Sequence, residues 1–353
     1  MKIYKKFILK DDQSFDTCIK KLDANLNLNY PKLIIIINKM NKVLGTVTDG
    51  DIRRGLLKKI ELKDNVKKIM KKYPKLIRIN NLKKDIQKYK NFDLPIPIID
   101  KKGVIIDLEI KSENYKPNQY DNTVIIMAGG FGKRLKPLTN YIPKPMVKID
   151  NTPILEIIIN KFKKFGFNNF KITTHYKGNA IKNYFGNGKK LDVKIEYIEE
   201  KHPLGTVGVL KKIKKNQIVF PFILMNADIL TKVDFASLLD FHNESKSEIT
   251  ICTKQYKLNV PYGVIQETNR NVKAFIEKPN YIFNVNAGIY VLSKEIFNKL
   301  DNNKFLNMDT FLKKIISKKI KIKSYPLHEY WIDIGKIEDF EKAQKDISSG
   351  IFK

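Results

Sequence analysis

Cysteine, arginine and long apolar runs are all scarce in this 353-residue sequence. Cys18 and Cys252 are the only cysteines and lie far apart, which excludes a disulfide framework and fits a reducing compartment. His175, His202, His242 and His328 are dispersed without zinc-ligand spacing. The longest apolar run, Leu33 to Ile37, is too short to cross a bilayer, and the opening MKIYKKFILKDD lacks the apolar core of a secretion signal. A cytoplasmic protein with no membrane partner is therefore expected. Arginine occurs only five times, so the net charge of +30 is carried by lysines spread along the whole chain. Nucleic-acid binders concentrate Arg on one face, and scattered lysine reads as a compositional bias, so no specific nucleic-acid partner is expected. Hydrophobic content of 42% is ordinary for a globular protein, and the length exceeds one core, so two domains are expected.

Against this background one stretch stands out, Val124 to Met146, VIIMAGGFGKRLKPLTNYIPKPM. The apolar Val124–Met127 reads as a buried strand. It breaks into Ala128 and the bare backbone of Gly129, Gly130 and Gly132, followed by the cations Lys133, Arg134 and Lys144. A strand ending in glycines exposes backbone N–H groups that can wrap a phosphate chain, and the cations neutralise its charge. The plainer alternative is a hairpin tip beside a solvated basic patch; the order of glycine, cation and proline favours the phosphate cradle. A Walker A loop is excluded because Arg134, not Ser or Thr, follows Lys133, and a dinucleotide fingerprint is excluded because Leu135 holds its third glycine slot.

The stretch resembles the signature of the sugar-1-phosphate nucleotidylyltransferases, GGxGxRLxPLTxxxPKPM, at Gly129, Gly130, Gly132, Arg134, Leu135, Pro137, Leu138, Thr139, Pro143, Lys144, Pro145 and Met146. From about Thr123 onward, strand and helix signals alternate. Strands are expected at Val124–Met127, Lys171–Thr174, Val193–Tyr197, Phe222–Met225 and Ile249–Thr253. Helices are expected at Pro153–Phe165, capped by Thr152 and closed by Gly166, at Asn179–Phe185, Val207–Ile213 and Phe235–Asn243, and from Ile337 to Asp346. The expected class is α/β: a Rossmann-like mixed, mostly parallel sheet with helices on both faces, its ligand beyond the carboxyl ends of the strands.

A reaction between two phosphate-bearing anions needs cations and paired carboxylates holding Mg²⁺. The resemblance implies Arg134, Lys144, Asp228 and Lys278 as the reactive set, with Asp228 and Asp333 (in Trp331-Ile332-Asp333-Ile334-Gly335) as metal ligands. It places the nucleotide on Met127, Ala128, Gly129, Gly130, Gly132, Lys133, Gly205 and Thr206, and the sugar on Gly263, Glu277, Lys278, Asn286 and Gly288. Gly208 stands where relatives preferring thymidine carry Gln, which argues against a thymidylyl enzyme. Taken singly, Asp228 could be a turn residue, Gly205 an ordinary loop glycine, and Glu277-Lys278-Pro279 a trivial tripeptide; their order carries the reading.

The first part of the chain reads as an internal repeat. A helix over Ser14–Leu22, a hairpin of Leu33–Ile37 with Val43–Val47, and a helix opened by Thr48-Asp49-Gly50-Asp51 form one copy. A short helix at Asn65–Met70 and the hairpin Pro95–Ile99 with Val104–Asp107 form a weaker one. This resembles a tandem pair of CBS domains, which implies an adenine nucleotide held by Thr48 and Asp51; equally, both residues suit a simple helix cap. The second copy lacks the Thr-x-x-Asp segment. The aperiodic Lys111–Asn122 reads as the linker, giving a CBS-like unit at 1–115, a link at 116–122 and a catalytic unit at 123–353.

The layout resembles guanylyltransferases feeding bacterial surface-sugar pathways. It implies GTP and a sugar 1-phosphate, glucosamine 1-phosphate first, with Mg²⁺, in a homo-oligomer. A thymidylyl- or uridylyltransferase on glucose 1-phosphate, a non-catalytic nucleotide-sensing regulator and a charge-driven nucleic-acid binder are the alternatives.

Overall fold

The computed structural model describes residues 3–25, 33–89, 94–109, 119–300 and 305–350. The chain divides into two compact units, Met1–Lys116 and Pro117–Lys353.

The first unit is built twice on one plan. Copy one runs β1 (Ile8–Lys10), α1 (Phe15–Asn25), β2 (Leu33–Ile37), β3 (Val43–Thr48) and α2 (Asp49–Leu57). Copy two runs β4 (Ile77–Arg78), α3 (Leu82–Lys88), β5 (Ile96–Ile99) and β6 (Ile105–Glu109). Each copy has a three-stranded sheet whose first pair is parallel and second antiparallel. The hairpin turns repeat as well. Asn38 Oδ1 accepts from the backbone of Met40 and Lys42, and Asp100 Oδ1 from Lys102 and Val104, the same side-chain-closed turn. Leu33, Ile35 and Ile37 pack against Ile105 and Leu108, joining the copies in one core. The expected helix over Asn65–Met70 is a single turn over Val66–Lys68, and the expectation missed α3, whose LKKDIQK carries only two apolar residues. Most of the expected linker, 111–118, lies outside the described residues; Tyr120 already belongs to the second unit, stacked on Phe167 at 4.7 Å.

The second unit starts with β7 (Val124–Met127), buried because four consecutive apolar residues can face helices on both sides. A small hairpin, β8 (Lys148–Ile149) with β9 (Thr152–Pro153), leads into α4 (Ile154–Lys164). Thr152 therefore sits in a strand and gives no cap; Pro153 occupies that position, and Gly166 at φ +87° ends the turn beyond the helix. Then follow β10 (Asn169–Thr174), α5 (Gly178–Phe185), β11 (Lys194–Glu199), the short α6 (Gly205–Gly208), β12 (Phe222–Asn226), β13 (Ile229–Thr231), α7 (Phe235–Glu244) and β14 (Ile249–Asn259). The hairpin β15 (Val264–Thr268) and β16 (Asn271–Ile276) precedes β17 (Asn280–Leu292), α8 (Lys294–Asn298), α9 (Met308–Ser317), β18 (Ile322–Leu327), β19 (Trp331–Asp333) and α10 (Ile337–Ser348).

The main sheet has the order β11-β10-β7-β12-β17-β14-β18. All its pairs are parallel except those of β17, which runs antiparallel to both β12 and β14. One face buries Val124 and Ile126 against α4, α5, α7 and α10; the other buries Ile125 and Leu224 against α6, α8 and α9. The α/β class with helices on both faces is thus what forms, and β7, β10 and β12 end side by side.

Candidate active site

Past the carboxyl ends of those three strands opens a cavity of about 370 Å³. Met127, Ala128, Gly129 and Gly130 line it from β7, Thr173 from β10, and Asn226 to Asp228 from β12. Gly205 and Thr206 close it from the α6 loop, where Gly205 stands at φ +75°. A side chain at Gly205 would fall 2.6 Å from the Leu306 carbonyl, so the loop can approach 306–308 only as glycine. Thr206 Oγ1 then accepts from Met308 N at 2.7 Å.

The glycine loop returns on itself. Gly132, at φ +63°, leaves room for Thr139 and Lys144 against its bare Cα, and Thr139 Oγ1 donates to its carbonyl at 2.9 Å. Gly132 is therefore a folding glycine that brings Lys144 back to the cavity wall. Lys133 points elsewhere, exposed, with Nζ 5.6 Å from the Phe131 ring. Of the expected nucleotide residues, Gly132 and Lys133 lie outside the cavity lining and the other six lie in it.

Asp228 and Asp333, 105 positions apart in sequence, meet through the antiparallel β13–β19 pair, which sets Ile229 opposite Asp333 and lets Ile334 N donate to Asp228 O at 2.9 Å. Lys144 Nζ donates to Asp228 Oδ2 at 2.5 Å. Arg134 reaches the same turn: its guanidinium lies 3.6 Å from where a side chain on Gly335 would begin. Burial first, then the neighbouring Asp228, pushes the Asp333 carboxyl up to about 6, opposed by Lys144 and Arg134. Asp228 Oδ1 and Asp333 Oδ1 are both buried without a hydrogen-bond partner. Two orphaned carboxylate oxygens side by side fit a divalent cation, which would supply the missing positive charge.

The acceptor-side residues stand apart from this cavity. Gly263 lies against Phe275 and Glu277; Glu277 and Lys278 are largely exposed and 3.8 Å apart, with Lys278 at φ +43°. Gly288, at φ +68°, lies directly under the Asn226 carboxamide, while Asn286 bonds Gly288 N and Tyr290 OH. Trp331 Nε1 donates to Ala287 O at 3.0 Å, tying β19 to the same bend of β17.

Asn226 and Glu200 are among the cavity residues missed from sequence. Asn226 precedes the Ala227-Asp228 pair, and its strand-end position was the available signal. Glu200 lies half-buried beside Gly129: a side chain there would meet Glu200 Oε1 at 2.7 Å. Glu200 Oε2 accepts from Leu204 N at 3.0 Å, and burial holds its carboxyl above the usual range. Gly208, in contrast, is buried in α6 and outside the lining. In the first unit Thr48 and Asp51 form a reciprocal cap: Thr48 Oγ1 donates to Asp51 Oδ2 at 2.7 Å, Asp51 N donates back to Thr48, and Arg54 pairs with Asp51.

Comparison with known proteins agrees with this geometry. A match to the family described as Nucleotidyl transferase spans residues 123–350. The chain is 35% identical over 225 residues to the D-glycero-alpha-D-manno-heptose 1-phosphate guanylyltransferase of Aneurinibacillus thermoaerophilus, covering 63% of this chain and 97% of that protein. It is 29% identical over 232 residues to the mannose-1-phosphate guanylyltransferase of Mycobacterium tuberculosis, covering 64% of this chain and 65% of that protein, less than two thirds of its length. Among solved structures it is similar to HddC from Yersinia pseudotuberculosis, with TM-score 0.52, 27% identity, and coverage of 64% of this chain and 99% of that one. The same protein complexed with GMP-PN matches with TM-score 0.50, 27% identity and the same coverage. With the glycine loop, the returning lysine and the paired acids in their places, the chain belongs to the nucleotidyl transferase family.

Proposed function

We propose that the chain is a sugar-1-phosphate guanylyltransferase working with Mg²⁺. An oxygen of the sugar 1-phosphate attacks the α-phosphorus of GTP, the bond to the β-phosphate oxygen breaks, and pyrophosphate leaves with that electron pair. The observation that carries this reading is the meeting of Asp228 and Asp333, each with an unpartnered oxygen, beside a glycine-lined cavity and Lys144. Asp228 and Asp333 would hold the cation, which neutralises phosphate charge when bound. Lys144 and Arg134 then offset the charge on the triphosphate, and the bare backbone of Gly129 and Gly130 lets it approach.

Glu200 supports guanine. Its carboxylate is an acceptor in the cavity lining beside Gly129, and guanine alone among the four bases offers two adjacent donors, N1–H and N2–H. The names of the similar proteins, heptose and mannose 1-phosphate guanylyltransferases, favour GTP too and point to a manno-configured acceptor. Glucosamine 1-phosphate remains the second acceptor, and a surface-sugar pathway in the cytoplasm the setting. Glu277 and Lys278 are assigned to the sugar hydroxyls and phosphate, with Gly263, Asn286 and Gly288 shaping that side. For the first unit we propose a CBS pair, supported by its two identically ordered sheets; adenine nucleotide at Thr48 and Asp51 would have to displace the reciprocal cap.

The test is a matrix of four NTPs against mannose, heptose, glucosamine and glucose 1-phosphates, read by pyrophosphate release, with and without AMP or ATP. Release with GTP above the other three is expected. Turnover confined to dTTP or UTP would move the reading to the other bases, and no turnover with any pair would remove it.

A further inference from the structure

Phe305 lines the nucleotide cavity yet shows 59% of its surface, and it makes no ring contact among the described residues. Single exposed phenylalanines are common on protein surfaces. This one differs in that the backbone carrying it is fixed. Leu306 N donates to Leu204 O at 2.9 Å, and Val207 N and Gly208 N donate back to Leu306 O at 2.9 and 3.1 Å. Met308 N closes the segment on Thr206 Oγ1. The same Leu204 gives its own N–H to Glu200 Oε2 at 3.0 Å. Glu200 and Phe305 are thus fixed through one residue, whose N–H holds the first and whose carbonyl holds the neighbour of the second. The other phenylalanine of the lining, Phe131, is already engaged. It stands edge to face with His175 and tilted against Tyr176, both at 5.5 Å, with Lys133 Nζ over its ring.

We propose that Phe305 is the platform on which the nucleotide base stacks while Glu200 takes the base's edge, a role that rests on the guanylyltransferase reading for the identity of the base. Hydrogen bonds to an edge orient a planar ring but leave its faces wet. An aromatic ring offset over one face removes that area from water and adds attraction between the π-systems. Every base has such a face, so the platform supplies affinity and the edge acceptor supplies choice. A sugar could also lie flat on a phenyl ring. The link through Leu204 to Glu200 favours the base, and Glu277 and Lys278, assigned to the sugar, lie outside this cavity.

Calorimetric binding of GTP to the full chain, with Mg²⁺ and no sugar 1-phosphate, tests it. Phe305→Ala should raise the dissociation constant about tenfold or more, and Phe305→Leu, which keeps apolar area but loses the flat face, about threefold or more. Phe305→Tyr should bind like the wild type, and thermal melts of all three should be unchanged, as expected of an exposed side chain. Phe305→Trp adds a spectroscopic reading: GMP should quench its fluorescence beyond any change at Trp331, the only tryptophan of the wild type. An unchanged dissociation constant in Phe305→Ala, or a Leu variant that binds like the wild type, overturns the proposal. So does a defect confined to KM for the sugar 1-phosphate. If the wild type binds another NTP in place of GTP, the guanine reading fails, and the same variants titrated with that NTP still decide the platform. If it binds none, both fall.

Discussion

Asp228 and Asp333 hold two negative charges close together in a half-buried turn, an arrangement that costs stability unless a cation is present. Replacing either by Asn should lower pyrophosphate release at least ~100-fold, about 2.7 kcal/mol of barrier, and Asp333→Asn should leave the metal-free protein at least as stable in thermal melts. A melting temperature that falls by many degrees in Asp333→Asn would show that its carboxylate is structural instead. Glu200 makes a different kind of prediction, one of selectivity. Glu200→Gln exchanges one acceptor for a donor and should cut the ratio of kcat/KM for GTP over UTP roughly tenfold or more, a hydrogen bond to a charged group being worth ~1.5–3 kcal/mol. An unchanged ratio across the four NTPs would take Glu200 out of base recognition. Asp228 was picked out in sequence by its place among the ordered motifs of the resemblance, since a carboxylate after an apolar strand could by itself be a turn residue. Glu200 was not, because nothing in Tyr197-Ile198-Glu199-Glu200 tells which of the two acids turns inward.

Elements set these side chains by shape. Gly205 at φ +75° lies so close to Leu306 O that alanine would have to push 306–308 away. Gly205→Ala should lose about 1–3 kcal/mol of stability from strain at that φ alone and raise KM for the nucleotide; chemical denaturation and initial-rate kinetics measure the two effects. On the opposite flank, α7 packs on β14 through His242, whose Nδ1 lies 2.9 Å from Thr250 Oγ1 and whose burial pulls its pKa down to about 4. The unfolded chain binds a proton there below about 6.5 and the folded protein does not until about 4. Stability from this site is therefore complete above pH 6.5 and drains away as pH falls towards 4. Melting scans from pH 7 to 4.5 should show a smaller loss in His242→Gln than in the wild type; equal slopes would contradict this. The strands with continuous apolar runs, β2, β7 and β12, were readable from sequence because burial on both faces leaves an unambiguous signature. β15 and β16 were missed because their residues are exposed, so burial imposes no alternation on VIQET or NVKAFI.

Across the whole molecule the lysine excess shapes long-range behaviour more than the fold does. Duplex DNA should bind only weakly, with an affinity that falls steeply between 50 and 200 mM salt, as expected for phosphate neutralisation; fluorescence anisotropy across that range checks it, and salt-resistant, sequence-dependent binding would revive a nucleic-acid role. No described helix is long and apolar enough to cross a membrane.

The order of glycines, cations and prolines between Gly129 and Met146 is the local pattern from which a phosphate cradle is expected, because such backbone exposure and charge have few other uses. The class of sheet followed from alternating apolar runs and helical periods, which are local properties. What needed the folded chain is every contact between distant segments. β17 entering antiparallel beside β12, β19 carrying Asp333 to Asp228, and Glu200 settling on the bare Gly129 all depend on pairings between segments tens to a hundred positions apart. Such pairings are chosen by the packing of the assembled core, and no window of neighbouring residues contains them.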